Sequence, residues 1–231
     1  TPGDNEWTDC HRPSNGAFEP LERLAFLRRL FYPRPGQSSG AQPMPLRTQA
    51  TEPGHAVHAA HVEHSLFVRA GVVIAVLHAV GSSNGLEPWA GIDPADSRAR
   101  PRADRLAEVH AREAAALAWI DLAFDEAQAS QAPGVLLAWQ ANPEFERKAD
   151  DPQRAGYQAL LARIKQRAQA FGRPVLLVHG DGHEWILDAP FMRWSEPQPW
   201  VTRFLRLQTP GSPRLHWVRL VIDPSSSGVF H

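Results

Sequence analysis

Cysteine is almost absent: Cys10 is the only one in 231 residues, which excludes an internal disulfide framework and any cysteine-based zinc knuckle. An excess of charge is also missing. With 24 basic against 25 acidic side chains and a formal net charge of -1, no global field draws the chain to nucleic acid or to an anionic membrane. Partners must therefore be argued from local sites. Long apolar runs are lacking too: no stretch approaches the roughly 18 consecutive apolar residues that span a bilayer, and no basic-then-apolar leader is visible. Prolines (21) and tryptophans (8) are plentiful, but proline, alanine and arginine usage of this kind follows genome composition and carries no functional weight. At 43% hydrophobic residues the chain is long enough for one large α/β domain with a real core, over residues 1–231.

The organising stretch is Pro174–His183, PVLLVHGDGH, in which a short buried strand runs into two histidines, an aspartate and two glycines. Ligands in α/β sheets collect beyond the carboxyl ends of strands, so chemistry is expected there. Upstream, EPLERLAFLRRLFY from Glu19 has helical spacing, stopped by Pro33 and Pro35. Val62–Arg69 and Val72–Val80 read as a hairpin or adjoining strands around Ala70-Gly71, the second being central. A loop of about twenty residues follows, over Gly81–Arg100. Next come a long helix from Pro101 to Ala129 with His110 packed near its stripe, a strand at Gly134–Gln140 and a helix over Pro152–Phe171. Trp185–Asp188, Val201–Leu207 and His216–Ile222 read as terminal strands, the last two from plain alternation, with Val229–Phe230 a further short candidate. His55, His58, His61 and His64 recur every three residues, which fits neither a strand face nor the i, i+4 pairing of zinc sites, and reads as solvated or structural.

Two chemistries are open. Gly81-Ser82-Ser83-Asn84-Gly85 satisfies G-x-S-x-G after a buried strand, with Asp150 and His183 in order for a triad on Ser83. The sharp strand-to-helix turn that motif requires is not expected here, since Pro88 and a polar loop intervene. The second gathers polar residues at strand ends: Asp4, Asn5, His78, Asp181 and His183, a mixed set suited to manganese, iron or zinc. Two such ions can activate water while clamping a phosphoryl group.

Those residues carry a resemblance. Gly3-Asp4-Asn5-Glu6 within GDNEWTDCHR, His78 in VLHAVGSSN and Gly180-Asp181-Gly182-His183 resemble, in order, the later motifs of the calcineurin-like metallophosphoesterase superfamily, in particular a divergent bacterial branch with a GDNEW motif. The resemblance implies a sandwich of two mixed β-sheets flanked by helices, metal ligation by Asp4, His78, Asp181 and His183, and phosphate contacts from Asn5 and Asn84. It implies hydrolysis of a phosphomonoester or phosphodiester in a phosphorylated small molecule, while the balanced charge and the lack of a long apolar run indicate no nucleic-acid or membrane partner. The superfamily's Asp-x-His and Gly-Asp motifs belong upstream of Gly3, so the resemblance implies a C-terminal portion lacking its first βαβ segment, with an incomplete metal site. Export to the periplasm or beyond is expected if a signal peptide precedes that segment. Asn5 stands where the superfamily has a histidine that assists the leaving group, and an amide is no general acid. The alternative is thus a degenerate fold kept as a binding or structural module.

Overall fold

The computed structural model describes residues 1–193 and 198–231. Its architecture is α/β: one mixed β-sheet flanked by helices. The strands are β1 (Arg47–Thr48), β2 (Ser65–Arg69), β3 (Val72–Val76), β4 (Val135–Ala138), β5 (Val175–His179), β6 (Ile186–Asp188) and β7 (Phe204–Gln208), in the order β1-β2-β3-β4-β5-β7-β6. The central strands β3, β4, β5 and β7 are parallel, and antiparallel partners close both edges. The main helices are α1 (Pro20–Phe31), α2 (Ala103–Ala129) and α3 (Gln158–Phe171). Local chemistry sets their ends. Glu19 accepts the Glu22 N–H at 2.7 Å and Pro20 opens α1. Gly172, at φ 68°, closes α3 in the left-handed conformation that glycine adopts without a Cβ clash.

Strand alternation divides the core. Val73, Ala75, Val135, Leu137, Val175, Leu177 and Phe204 face α2 and α3, where Trp119, Ile120, Phe124 and Ile164 meet them. The opposite face, with Val72, Ile74, Leu136 and Leu176, is covered by the C-terminal segment through Val218, Leu220, Ile222, Val229 and Phe230. This layering leaves the carboxyl ends of β3, β4 and β5 side by side, the place where the organising stretch was expected to do its work.

The hairpin and the helix–strand alternation agree with the pattern in the sequence, but three expectations do not hold. All seven strands lie in one sheet, and no second sheet occurs among the described residues. His216–Ile222 is not a strand: its alternation is real, but it records Val218, Leu220 and Ile222 dropping onto a sheet face, and only Ile222 bridges Phe230. His110 is exposed, because the buried stripe of α2 runs instead through Arg105, Val109, Arg112, Trp119 and Ile120.

Candidate functional site

Past β3 the chain reaches Gly81 and then makes three consecutive left-handed residues, Ser82, Ser83 and Asn84, all at φ 54°. None is glycine, and such conformations cost about 1–2 kcal/mol per residue. The surroundings over-determine them. Arg112, wholly buried in α2, donates to the Asn84 carbonyl at 2.9 Å and to the Asn84 amide oxygen. Asn84 Nδ2 donates to the Gly156 carbonyl at 3.0 Å. Ser83 Oγ donates to the Pro152 carbonyl at 2.9 Å and accepts the Gly156 N–H at 3.2 Å. The 152–156 loop is pressed so close that a Cβ on Gly156 would lie 1.9 Å from the Ser83 carbonyl oxygen.

This turn presents Gly81 to two carboxylates from distant parts of the chain. A Cβ placed on Gly81 would lie 2.5 Å from Asp4 Oδ2 and 3.0 Å from Asp181 Oδ2, so both oxygens flank the space that the missing side chain leaves. Gln140, just past β4, holds the group together: its Nε2 donates to Asp4 Oδ1 at 3.1 Å and its Oε1 accepts the Gly81 N–H at 3.0 Å. The Asn142 N–H donates to Asp181 Oδ2 at 3.1 Å. Behind them a third carboxylate, buried Asp9, accepts from Ser82 Oγ at 2.7 and 2.8 Å and pairs with Arg12 at 2.8 Å. Burial pushes Asp9 up to about 6, with Ser82 and Arg12 opposing and Asp4 adding to the rise. Burial, then the charge on Asp4, raises Asp181 as well.

His78 lies elsewhere. It is wholly buried, and both ring nitrogens are engaged: Trp7 Nε1 donates to Nε2 at 3.1 Å, and Nδ1 bonds Glu63 Oε1 at 2.6 Å. The indole donor requires a bare Nε2, so the proton sits on Nδ1. Arg28 closes the chain with a two-pronged pair to Glu63 at 2.6 and 3.1 Å. Burial would raise Glu63, but His78 and Arg28 outweigh it and hold the carboxyl well below its usual range. Burial lowers His78, so the ring is neutral at neutral pH. This network anchors Trp7 and, through it, the loop that carries Asp4.

The other expected residues separate in the same way. Exposed His183 turns its Nδ1 to the Ser212 carbonyl at 2.9 Å. Asn5 is exposed, its amide oxygen accepting from Asn15 at 2.8 Å. Asn84 is buried with its amide committed to Arg112 and Gly156. Ser83 is buried against backbone and has no histidine partner among the described residues, so the G-x-S-x-G match forms no triad. Of the expected ligands the structure thus brings together Asp4 and Asp181. Among the described residues no group of three or more His, Cys, Asp and Glu side chains is arranged to hold a metal ion. Gln140, Asp9 and Arg112 were missed. GDNEWTD did contain Asp9, but nothing in the spacing pairs it with Ser82.

A hollow of about 480 Å³ adjoins the cluster through Gln140 and is lined also by Gly3, Glu6, Leu27 and Tyr32 among others. Comparison of the chain with protein-family models, with curated proteins and with solved structures finds no match in any of the three.

Proposed function

We propose that this chain carries the divalent-cation and phosphate site of a metallophosphoesterase-like protein, whose reaction is hydrolysis of a phosphomonoester or phosphodiester. The observation that carries the reading is the meeting of Asp4 and Asp181 over Gly81, at the carboxyl ends of parallel strands and with no arginine or lysine paired to either among the described residues. Two carboxylates left without a counter-charge suit a cation. Both donors are hard oxygens, which within the set of manganese, iron and zinc favours manganese. In this reading Asp4 and Asp181 hold the ion, Gln140 fixes their spacing, and His78 and Asn84 act as scaffold. A bound ion supplies Lewis-acid polarisation of a phosphoryl oxygen.

Titration calorimetry with manganese, on the chain and on Asp4→Asn and Asp181→Asn, tests this: each substitution should weaken binding at least tenfold. Hydrolysis of p-nitrophenyl phosphate in manganese should fall in parallel. The absence of both binding and turnover would overturn the catalytic reading. A second reading, a fold kept as a binding or structural module, draws on one observation: His78 and Asn84 are wholly consumed by internal hydrogen bonds. Manganese binding without turnover would favour it.

A further inference from the structure

Far along the chain, a second hollow of about 400 Å³ has a different chemistry. It is lined by Trp185, Arg214, His216, Trp217 and Arg219, with Pro210 and Val218, and among the described residues no carboxylate contributes to the wall. Trp217 is 80% exposed and Trp185 57%. Folding gains little from leaving two indoles in water, and large apolar rings displayed together mark binding surfaces. Their cationic neighbours are idle in the same way: among the described residues neither Arg214 nor Arg219 makes a side-chain hydrogen bond, an ion pair or a ring contact. Both guanidiniums are therefore available to an anion, unlike Arg28, Arg105 and Arg206, which are committed to carboxylates.

The wall is nonetheless held in place. Val218 packs on the sheet face beside Leu220 and Ile222, which forces Trp217 and Arg219 outward by alternation. The Arg214 N–H donates to the Gly211 carbonyl at 3.0 Å, and the Gly211 N–H donates to the His183 carbonyl at 3.3 Å. His183 Nδ1 meets the Ser212 carbonyl, so the residue expected to bind metal instead ties the 211–214 turn to the loop that leads to Trp185.

We infer that this hollow is a binding site for a small anion carrying a planar ring, of the nucleoside monophosphate class. The indoles supply the stacking surface, and Arg214 and Arg219 supply the fork-shaped donors that match a phosphate. The volume suits one nucleotide. The site is independent of the acidic cluster, whose charge would repel the same ligand.

Calorimetry with AMP in EDTA tests the assignment, with adenosine and inorganic phosphate as the ring-only and charge-only probes. AMP should bind at least about tenfold tighter than either, and its affinity should fall as salt is raised. Trp217→Ala and Arg219→Gln, both at exposed positions and checked for folding by circular dichroism, should each weaken AMP binding about tenfold or more, while Asp181→Asn leaves it unchanged. Equal binding of AMP and phosphate, or AMP binding indifferent to Trp217→Ala, would overturn the proposal. So would tighter binding of a short oligoadenylate than of AMP, which would make the surface a strand-binding one. Because no metal is present, failure here leaves the manganese result untouched.

Discussion

His78 offers the sharpest test of what was read as a ligand and is found as scaffold. Replacing it with leucine removes two hydrogen bonds inside a fully buried network. The bond to the ionised Glu63 is charge-assisted and contributes about 1.5–3 kcal/mol. Loss of the other leaves the Trp7 indole N–H buried without an acceptor, at about 1–3 kcal/mol. His78→Leu should therefore cost about 3–5 kcal/mol, read as a lower midpoint in urea at unchanged slope. Asparagine separates the two contributions. Its Nδ2 stands near the position of the imidazole Nδ1 and keeps the donor to Glu63, so His78→Asn should cost less than His78→Leu. In a double-mutant cycle with Trp7→Phe, the pair should couple by about 1–2 kcal/mol, because the second change removes the orphaned donor. Stability within about 1 kcal/mol of the parent in His78→Leu, together with lost manganese binding, would refute the scaffold argument and restore His78 as a ligand.

Three further outcomes follow from the geometry. Asp96 accepts from Arg105 at 2.9 Å twice, from the Trp89 N–H at 2.7 Å and from the Arg102 N–H at 2.9 Å. Burial opposes ionisation, but these donors hold its carboxyl down at about 2 against 3.8 when unfolded. A depressed carboxyl stabilises above its unfolded pKa, so about 2 kcal/mol present at pH 5 should be lost as pH falls from about 4 to 2. Asp96→Asn should flatten that limb of the pH–stability curve and cost about 3–5 kcal/mol at neutral pH, since it leaves buried Arg105 without its counter-ion. Gly156→Ala sets a methyl 1.9 Å from the Ser83 carbonyl oxygen and should cost about 3 kcal/mol in thermal unfolding as the left-handed turn is displaced. Gly81→Ala meets only the tips of Asp4 and Asp181, which can swing away; it should leave the melting temperature within a few degrees while manganese affinity falls in calorimetry.

The parts legible in the sequence are those fixed by local chemistry. The run VVIAV after Ala70-Gly71, the Gly172 stop of α3 and the apolar VLLV of β5 each follow from residue type and period. The topology of the crevice was legible for the same reason, since alternating helices and strands bring β3, β4 and β5 together with their carboxyl ends aligned. Which strand-end side chains reach into that crevice was not. His78 falls out of the series Val73, Ala75, Leu77, Ala79 that packs under the helices, and what it meets depends on Trp7 and Glu63, neither set by its neighbours in sequence. Asp181 and His183 both take positive φ, at 68° and 58°, which breaks the alternation that would otherwise say where each points. The left-handed Ser82-Ser83-Asn84 turn is beyond propensity altogether, because it persists through Arg112 and Gly156, far away in the chain.

The contrast among carboxylates is the strongest reason to regard the Asp4–Asp181 pair as built rather than incidental. Folding usually answers a carboxylate withdrawn from water with a guanidinium, because an unpaired buried charge is expensive. This chain follows the rule at Glu63 with Arg28, Asp96 with Arg105, Asp188 with Arg206, and Asp9 with Arg12. Asp4 and Asp181 break it among the described residues: they are half-buried, close enough for one to raise the pKa of the other, and served only by the neutral donors of Gln140 and Asn142. A turn strained at three residues keeps Gly81, with no side chain, between them. A fold that supplies arginines so freely elsewhere leaves this repulsion standing, and a divalent cation of the kind proposed above would relieve it.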